Sequence, residues 1–216
     1  GHPRGQLDLL LCQPKSGGCG LVQLRHTVSP ELMYRQYWYK SNVNESMRAA
    51  LADVCRSAER MVSIAPGDLL LDIGCNDGTL LRSYSGDGLK LIGFEPARNL
   101  QQEAQLGTTK IINDFFHFAA FDKQFPHDKA KVITTIAMFY DLEDPNSFVS
   151  DILKCLAVDG VWIIQMSYLP SMLEQNAFDN ICHEHLEYYS LLAVQSLLTA
   201  HGLRVIDVEL NDVNGG

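Results

Sequence analysis

Apolar positions along this chain change their period several times, and each change marks an element. Met47, Leu51, Val54, Cys55, Ala58, Met61 and Val62 recur at helical spacing, which predicts a long amphipathic helix with Asn42 and Glu45 as its cap pair. Leu69–Ile73 is a continuous apolar run that reads as a buried strand, passing through a turn at Gly74 and Gly78 into a helix. A second strand-like run, Leu89–Ala97, carries Glu95 at its end. A polar helix near Asn99–Leu106 and a short strand ending at Asn113 and Asp114 follow. The β-branched start of KVITTIAMFYDLEDP predicts a buried parallel strand whose end, Ala137 to Tyr140, faces a ligand cleft. Asp144 and Pro145 open a helix with Phe148, Ile152, Leu153 and Leu156 on its buried side, and Asp159-Gly160 turns the chain into a fifth strand, VWIIQM. Ser190 can cap a last helix that Gly202 ends, before GLRVIDVEL as a sixth strand. Strand and helix alternate long enough to define a doubly wound α/β sheet.

Composition narrows the setting. A chain of 216 residues, 46% hydrophobic and 20% charged, can bury a substantial core. Its formal charge of −9, with no lysine or arginine cluster, argues against a nucleic-acid partner. No apolar run reaches bilayer length, and the opening GHPRG lacks the apolar core of a secretion signal, so no membrane association and a cytoplasmic setting are expected.

Six scattered cysteines fit reduced thiols. Cys55 and Cys155 fall on apolar helix faces as core filler. Cys12 and Cys19 flank PKSGG in a hairpin or knuckle, half of a zinc ribbon; with a six-residue gap and His26 as the one local third ligand, no metal is expected. The next segment carries an aromatic cluster, Tyr34, Tyr37, Trp38 and Tyr39. It reads either as a packed arm or, over Tyr37–Ser41, as a lid on a cofactor. The blocks are therefore a hairpin over residues 1–30, an arm and helix over 31–65, and the sheet over 66–216.

Chemistry concentrates in two places. A strand, a glycine turn and a helix start can present backbone N–H groups to a nucleotide-type ligand. A dinucleotide fingerprint would place glycine where Asn76 stands, which disfavours NAD or FAD. In FDNICHEHLEYYS, His183, Glu184 and His185 can form an acid/base system, a metal site with Cys182, or a loop whose histidines only make hydrogen bonds.

The pattern Asp72-x-Gly74-x-x-x-Gly78 resembles the first motif of class I S-adenosylmethionine-dependent methyltransferases. That resemblance implies a Rossmann-like sheet and a cofactor site of Asp72, Gly74, Asn76, Gly78, Glu95, Asp114, Phe115 and Ala137, with S-adenosylhomocysteine as product. In it Glu95 accepts from the ribose hydroxyls, Asp114 reaches the adenine amine and Phe115 lies against the ring. YWYKSNVNESM, DIGCNDGTLL, GFEPARN, HEHLEYYS and VELNDVNGG, in this order, resemble the C-methyltransferases of nucleotide-linked keto-deoxysugars. This second resemblance implies His185 as the base that removes the proton α to a ketone and Glu184 as its support; the mechanism that follows uses Tyr39 as an enolate donor. Other readings are an O- or N-methyltransferase of another small metabolite, or a non-catalytic cofactor-binding or assembly module. Members of the family place tyrosine where Cys182 stands, begin with two Cys-x-x-Cys pairs that could hold zinc in full-length relatives, and continue into a second α/β domain. The chain is therefore expected to lack the last strand of its sheet and either to form a homodimer through the incomplete edge or to depend on a missing half.

Overall fold

The computed structural model describes residues 5–211 and 213. In chain order its elements are β1 (Leu9–Leu11), β2 (Val22–Leu24), α1 (Pro30–Tyr34), α2 (Glu45–Met61), β3 (Leu69–Ile73), β4 (Lys90–Phe94), α3 (Gln101–Ala104), β5 (Lys110–Ile112), α4 (Phe118–Gln124), β6 (Ala130–Ile136), α5 (Pro145–Cys155), β7 (Leu156–Gln165), α6 (Leu169–Glu174), β8 (Glu187–Tyr188) and α7 (Leu191–Ala200). They group into two units, one of residues 30–136 and 151–164, the other of residues 5–29, 137–150 and those from Gln165 on.

The first unit holds a five-stranded sheet in the order β5-β4-β3-β6-β7. β3 pairs in parallel with β4 and β6, and β4 with β5. Every residue of β3 is buried, which is why its sequence is an apolar run and not an alternation. The strand order reverses between β3 and β6, and in open α/β sheets ligands lie beyond the carboxyl ends of strands at such a reversal. α2 packs Leu51, Cys55 and Ala58 with Leu70, Leu80, Tyr84, Val132 and Val161, with Met47, Val54 and Val62 partly buried beside them. Met61 is exposed, so it lies off the buried face on which the spacing places it.

The second unit is built on the N-terminal hairpin. β1 pairs antiparallel with β2, and β8 adds a third, antiparallel strand through Val22↔Tyr188 and Gln23↔Glu187. Leu24, Met172, Leu186 and Tyr188 form its core. α7 starts as expected: the Ser190 side chain accepts from the Ala193 N–H, and Gly202 adopts a left-handed conformation past its end.

Four expectations need correction. The cap of α2 is Asn44, whose side chain accepts from the Ser46 N–H; Asn42 is drawn away to other partners. The turn after β3 leads only into a 3-10 turn, Leu81–Ser83, because Arg82 and Asp77 hold the loop in its own hydrogen-bond network. Asp159-Gly160 is no turn but lies within β7, where a Cβ on Gly160 would sit 2.9–3.0 Å from the carbonyls of Lys131 and Ala130; the strand runs too close to β6 for a side chain there. The segment Gly202–Leu210 forms no strand: Ile206, Val208 and Leu210 are exposed, and among the described residues no neighbouring strand offers a ladder to fix the alternation. The rest of the expected Asn-Asp-x-x-Gly-Gly motif, Asp212 and Asn214–Gly216, lies outside the described residues.

Candidate functional site

The loop after β3 spends its backbone donors on the end of β4 and on itself. Gly74 and Cys75 N–H both donate to the Phe94 carbonyl, at 2.9 and 3.0 Å, and Gly78 N–H donates to the Cys75 carbonyl at 2.8 Å. Asn76 N–H donates to Glu95 Oε2 at 2.7 Å, Asp77 N–H to Asn76 Oδ1 at 2.9 Å, and Thr79 N–H to Asp77 Oδ1 at 3.1 Å. The expectation of free N–H groups at a helix start is thus overturned: each amide from Gly74 to Thr79 has a partner, and no α-helix follows to lend its dipole. Gly78 is required here, since its φ is +79° and a Cβ would meet the Ala104 carbonyl oxygen at 2.9 Å. Asn76 also adopts a positive φ, 52°, which asparagine tolerates.

Instead of donors, the loop gathers acids. Asp72, Asp77 and Glu95 are all buried. Burial pushes Asp72 up to about 7, against a 2.6 Å hydrogen bond from the Thr134 hydroxyl. Burial likewise pushes Glu95 up to about 7, although Ala97 N–H and Asn76 N–H both donate to it. Asp77 accepts from the Thr79 hydroxyl at 2.6 Å and lies 3.9 Å from an Arg82 nitrogen.

The aromatic arm is tied to this loop. Asn76 Nδ2 donates to the Tyr39 carbonyl at 3.1 Å, its Oδ1 accepts from Ser41 N–H at 3.0 Å, and Asp77 accepts from Asn42 N–H at 2.8 Å. Glu103 accepts from Lys40 and from the Asn42 amide. Tyr39 is half-buried; burial and the charge of Asp77 raise its hydroxyl, which therefore stays protonated at neutral pH. Past β5, Asp114 and Phe115 follow as expected, but with an additional partner, Arg35, whose Nη2 donates to Asp114 Oδ1 at 3.1 Å and whose guanidinium stands 4.7 Å over the Phe115 ring. Spacing could not reveal Arg35, Asp77 or Glu103, because each is polar within a segment read for its apolar or aromatic positions.

Glu184, His185 and Ala137 belong to the other unit. Ala137 follows β6 directly, with φ 52° and its N–H on the Gln165 carbonyl at 2.9 Å. His185 is anchored through Nδ1 to the Asn180 carbonyl at 2.8 Å and meets the Tyr140 ring edge-on at 4.5 Å. Burial alone would hold its imidazole down, but a hydrogen bond and charge from Cys182, and the charge of Asp141, raise it to about 9. Burial raises the Cys182 thiol, and a hydrogen bond and charge from His185 reverse this to a net lowering. Glu184 is half-buried in the turn before His185. His183 Nε2 lies 3.2 Å from the Gly5 carbonyl. The Tyr189 hydroxyl donates to buried Glu187, a pair that residue spacing does not single out.

Cys12 and Cys19 form the expected knuckle, with Cys19 N–H donating to Cys12 Sγ at 3.3 Å. Among the described residues no group of three or more His, Cys, Asp or Glu is placed to hold a metal, and His26 does not complete one. No helix of the described residues is long and apolar enough to cross a membrane.

A doubly wound sheet with acids at the ends of β3 and β4 defines a Rossmann-like methyltransferase fold. Residues 41–208 match the methyltransferase domain family, and the chain belongs to it. The C-methyltransferase NovU of Streptomyces niveus is 32% identical over 215 residues, covering 97% of this chain and 49% of NovU. The chain thus spans about half the length of that curated relative. Among solved structures, the cyclopropane synthase MmaA2 from Mycobacterium tuberculosis is similar with a TM-score of 0.58 at 16% identity, over 83% of this chain and 73% of that one. The plantazolicin methyltransferase BpumL, in complex with a pentazolic desmethylPZN analog and SAH, gives 0.56 at 17% identity, over 74% of this chain and 65% of that one. At these identities the likeness is one of fold.

Proposed function

We propose that this chain binds S-adenosylmethionine beside Asp72, Glu95 and Asp114 and methylates the carbon α to a ketone of a nucleotide-linked deoxysugar. The observation that carries the cofactor reading is the inverted polarity of the loop: its amides are spent and its buried side chains are carboxylates. A pyrophosphate would meet acids and no donors. An adenosyl sulfonium brings a cationic sulfur, an ammonium, ribose hydroxyls and an adenine amine, all of which suit carboxylate partners. Glu95 accepts from the ribose hydroxyls, Asp114 from the adenine amine, and Asp72 supplies negative charge for the amino-acid end. When bound, the cofactor supplies an electrophilic methyl group.

Carbon becomes nucleophilic only after it loses its acidic proton, so the site needs a base. His185 takes that role, its ring orientation fixed by the Asn180 carbonyl and its proton traffic linked to Cys182, with Glu184 supporting it. The Tyr39 hydroxyl, kept protonated by its surroundings, is the donor assigned to the enolate oxygen. The resemblance of HEHLEYYS and the 32% identity to a C-methyltransferase support carbon over oxygen or nitrogen as acceptor. A cytoplasmic enzyme that pairs with a second copy of itself completes this reading.

Titration of S-adenosylhomocysteine against the chain tests the cofactor site: Glu95→Gln is expected to weaken binding at least about tenfold. Equal affinity in the two proteins refutes it. For the chemistry, a nucleotide-linked keto-deoxysugar incubated in D2O with S-adenosylhomocysteine should exchange its α proton, and His185→Gln should abolish the exchange. A product whose methyl group sits on oxygen by NMR refutes the carbon assignment.

A further inference from the structure

We propose that Arg35 is a positioning residue that makes the site specific for the 6-amino group of adenine; this rests on the reading of Asp114 as the adenine-facing acid. Arg35 is held from several sides. Its Nε and Nη2 form a fork on Glu31 at 2.6 and 2.7 Å, and Nη2 also donates to Asp114 Oδ1 at 3.1 Å. Its own carbonyl accepts from Arg98 N–H at 3.2 Å, and two residues on, the Tyr37 backbone is clasped by Asn99, which accepts from Tyr37 N–H at 3.1 Å and donates to its carbonyl at 2.7 Å. The guanidinium plane is therefore fixed 4.7 Å over Phe115.

The two oxygens of Asp114 end up in different situations. Oδ1 accepts from Arg35 and from Phe115 N–H at 2.9 Å. Oδ2 has His117 Nε2 at 4.0 Å, beyond hydrogen-bond reach, and the side chain is about half exposed. Arg35 thus pins one oxygen so that the other stays presented as an acceptor. An amine satisfies that acceptor; a carbonyl at the same ring position faces it lone pair to lone pair. Arg35 also occupies one face of Phe115, so a base packing on that ring meets the other face and is held in register with Oδ2. A planar fork does both jobs at once, which a flexible ammonium cannot.

The test compares S-adenosylhomocysteine with S-inosylhomocysteine, in which the amine is replaced by a carbonyl, by calorimetry on the native chain, Arg35→Met and Arg35→Lys. The native chain should prefer the adenosyl compound by tenfold or more. In Arg35→Met that ratio should collapse to within about twofold, chiefly through loss of adenosyl affinity; should Arg35→Met not fold, Arg35→Lys carries the same test with a reduced ratio. A purely structural arginine would weaken both compounds alike, and a ratio unchanged from native in the variants overturns the proposal alone. A native chain that binds the two compounds equally overturns it together with the adenine reading of Asp114.

Discussion

Asn76 and Glu95 are joined across the ends of adjacent strands: the Asn76 N–H donates to Glu95 Oε2 at 2.7 Å, while Ala97 N–H occupies Oε1 at 2.8 Å. Even with two donors, Glu95 is held up at about 7, because burial outweighs them. Carboxyl groups held this high resist ionisation, and the pH behaviour of the protein follows.

Stability without ligand should fall as pH rises across the neutral range. Asp72, Glu95 and Glu187 are raised from ordinary carboxylate values to about 7, and His185 from 6.5 to about 9. In each case the folded chain holds its proton more tightly than the unfolded one, so the stabilisation is complete below the unfolded value and disappears as pH passes the folded value. The expected outcome is a melting temperature that declines from about pH 4.5 to about pH 7.5, above which the opposed shifts of His185 and Cys182 offset each other. A maximum near pH 8 in thermal scans would contradict these assignments.

Ligand affinity should run the other way. A cation and hydroxyl donors prefer ionised Asp72 and Glu95, so S-adenosylhomocysteine should bind more tightly at pH 8 than at pH 6, by up to about tenfold per pH unit for each group that must ionise. Binding near pH 6.5 should release protons, which calorimetry in buffers of different ionisation enthalpy will register. Glu95→Gln should flatten part of this dependence.

Asn76→Ala tests the tie between loop and arm. It removes the hydrogen bonds to Tyr39, Ser41 and Asp77 and places alanine at φ 52°. A loss of about 2–4 kcal/mol in urea unfolding is expected, with Asn76→Gly, which tolerates the dihedral, costing roughly half as much. Trypsin should cut at Lys40 faster in both variants.

Cys182→Ser should shift the pH–rate profile. Without the Cys182 thiol the largest raising influence on His185 is lost, leaving Asp141 and the Asn180 carbonyl against burial, so the imidazole becomes neutral, and able to accept a proton, at lower pH. The acid limb of kcat/KM is expected to move down by about one unit or more, raising activity at neutral pH. An unmoved limb means that Cys182 does not hold the proton on His185.

Much of the framework could be read from residue pattern. β3, β4, β5 and β6 fall where the apolar runs lie, Ser190 caps α7, and Cys55 and Cys155 are buried as expected. The errors share a cause. Asn42, the segment after Gly78, Asp159-Gly160 and Gly202–Leu210 all have local signals that long-range partners override or fail to supply. Asn42 N–H goes to Asp77 thirty-five residues away, and Gly160 is governed by the carbonyls of Ala130 and Lys131.

The sequence by itself determined the central strands from Leu69 to Ile136, the acids near their ends and the family resemblance, because periodicity and short motifs depend on neighbours along the chain. Only the tertiary structure decided that the loop after β3 has no amide left to donate, that Arg35 stands over Phe115, and that Cys182 and Asp141 come close enough to raise His185. Those properties depend on which distant groups arrive within hydrogen-bond range and on how little water reaches them, and neither distance nor dielectric is written in the spacing of residues.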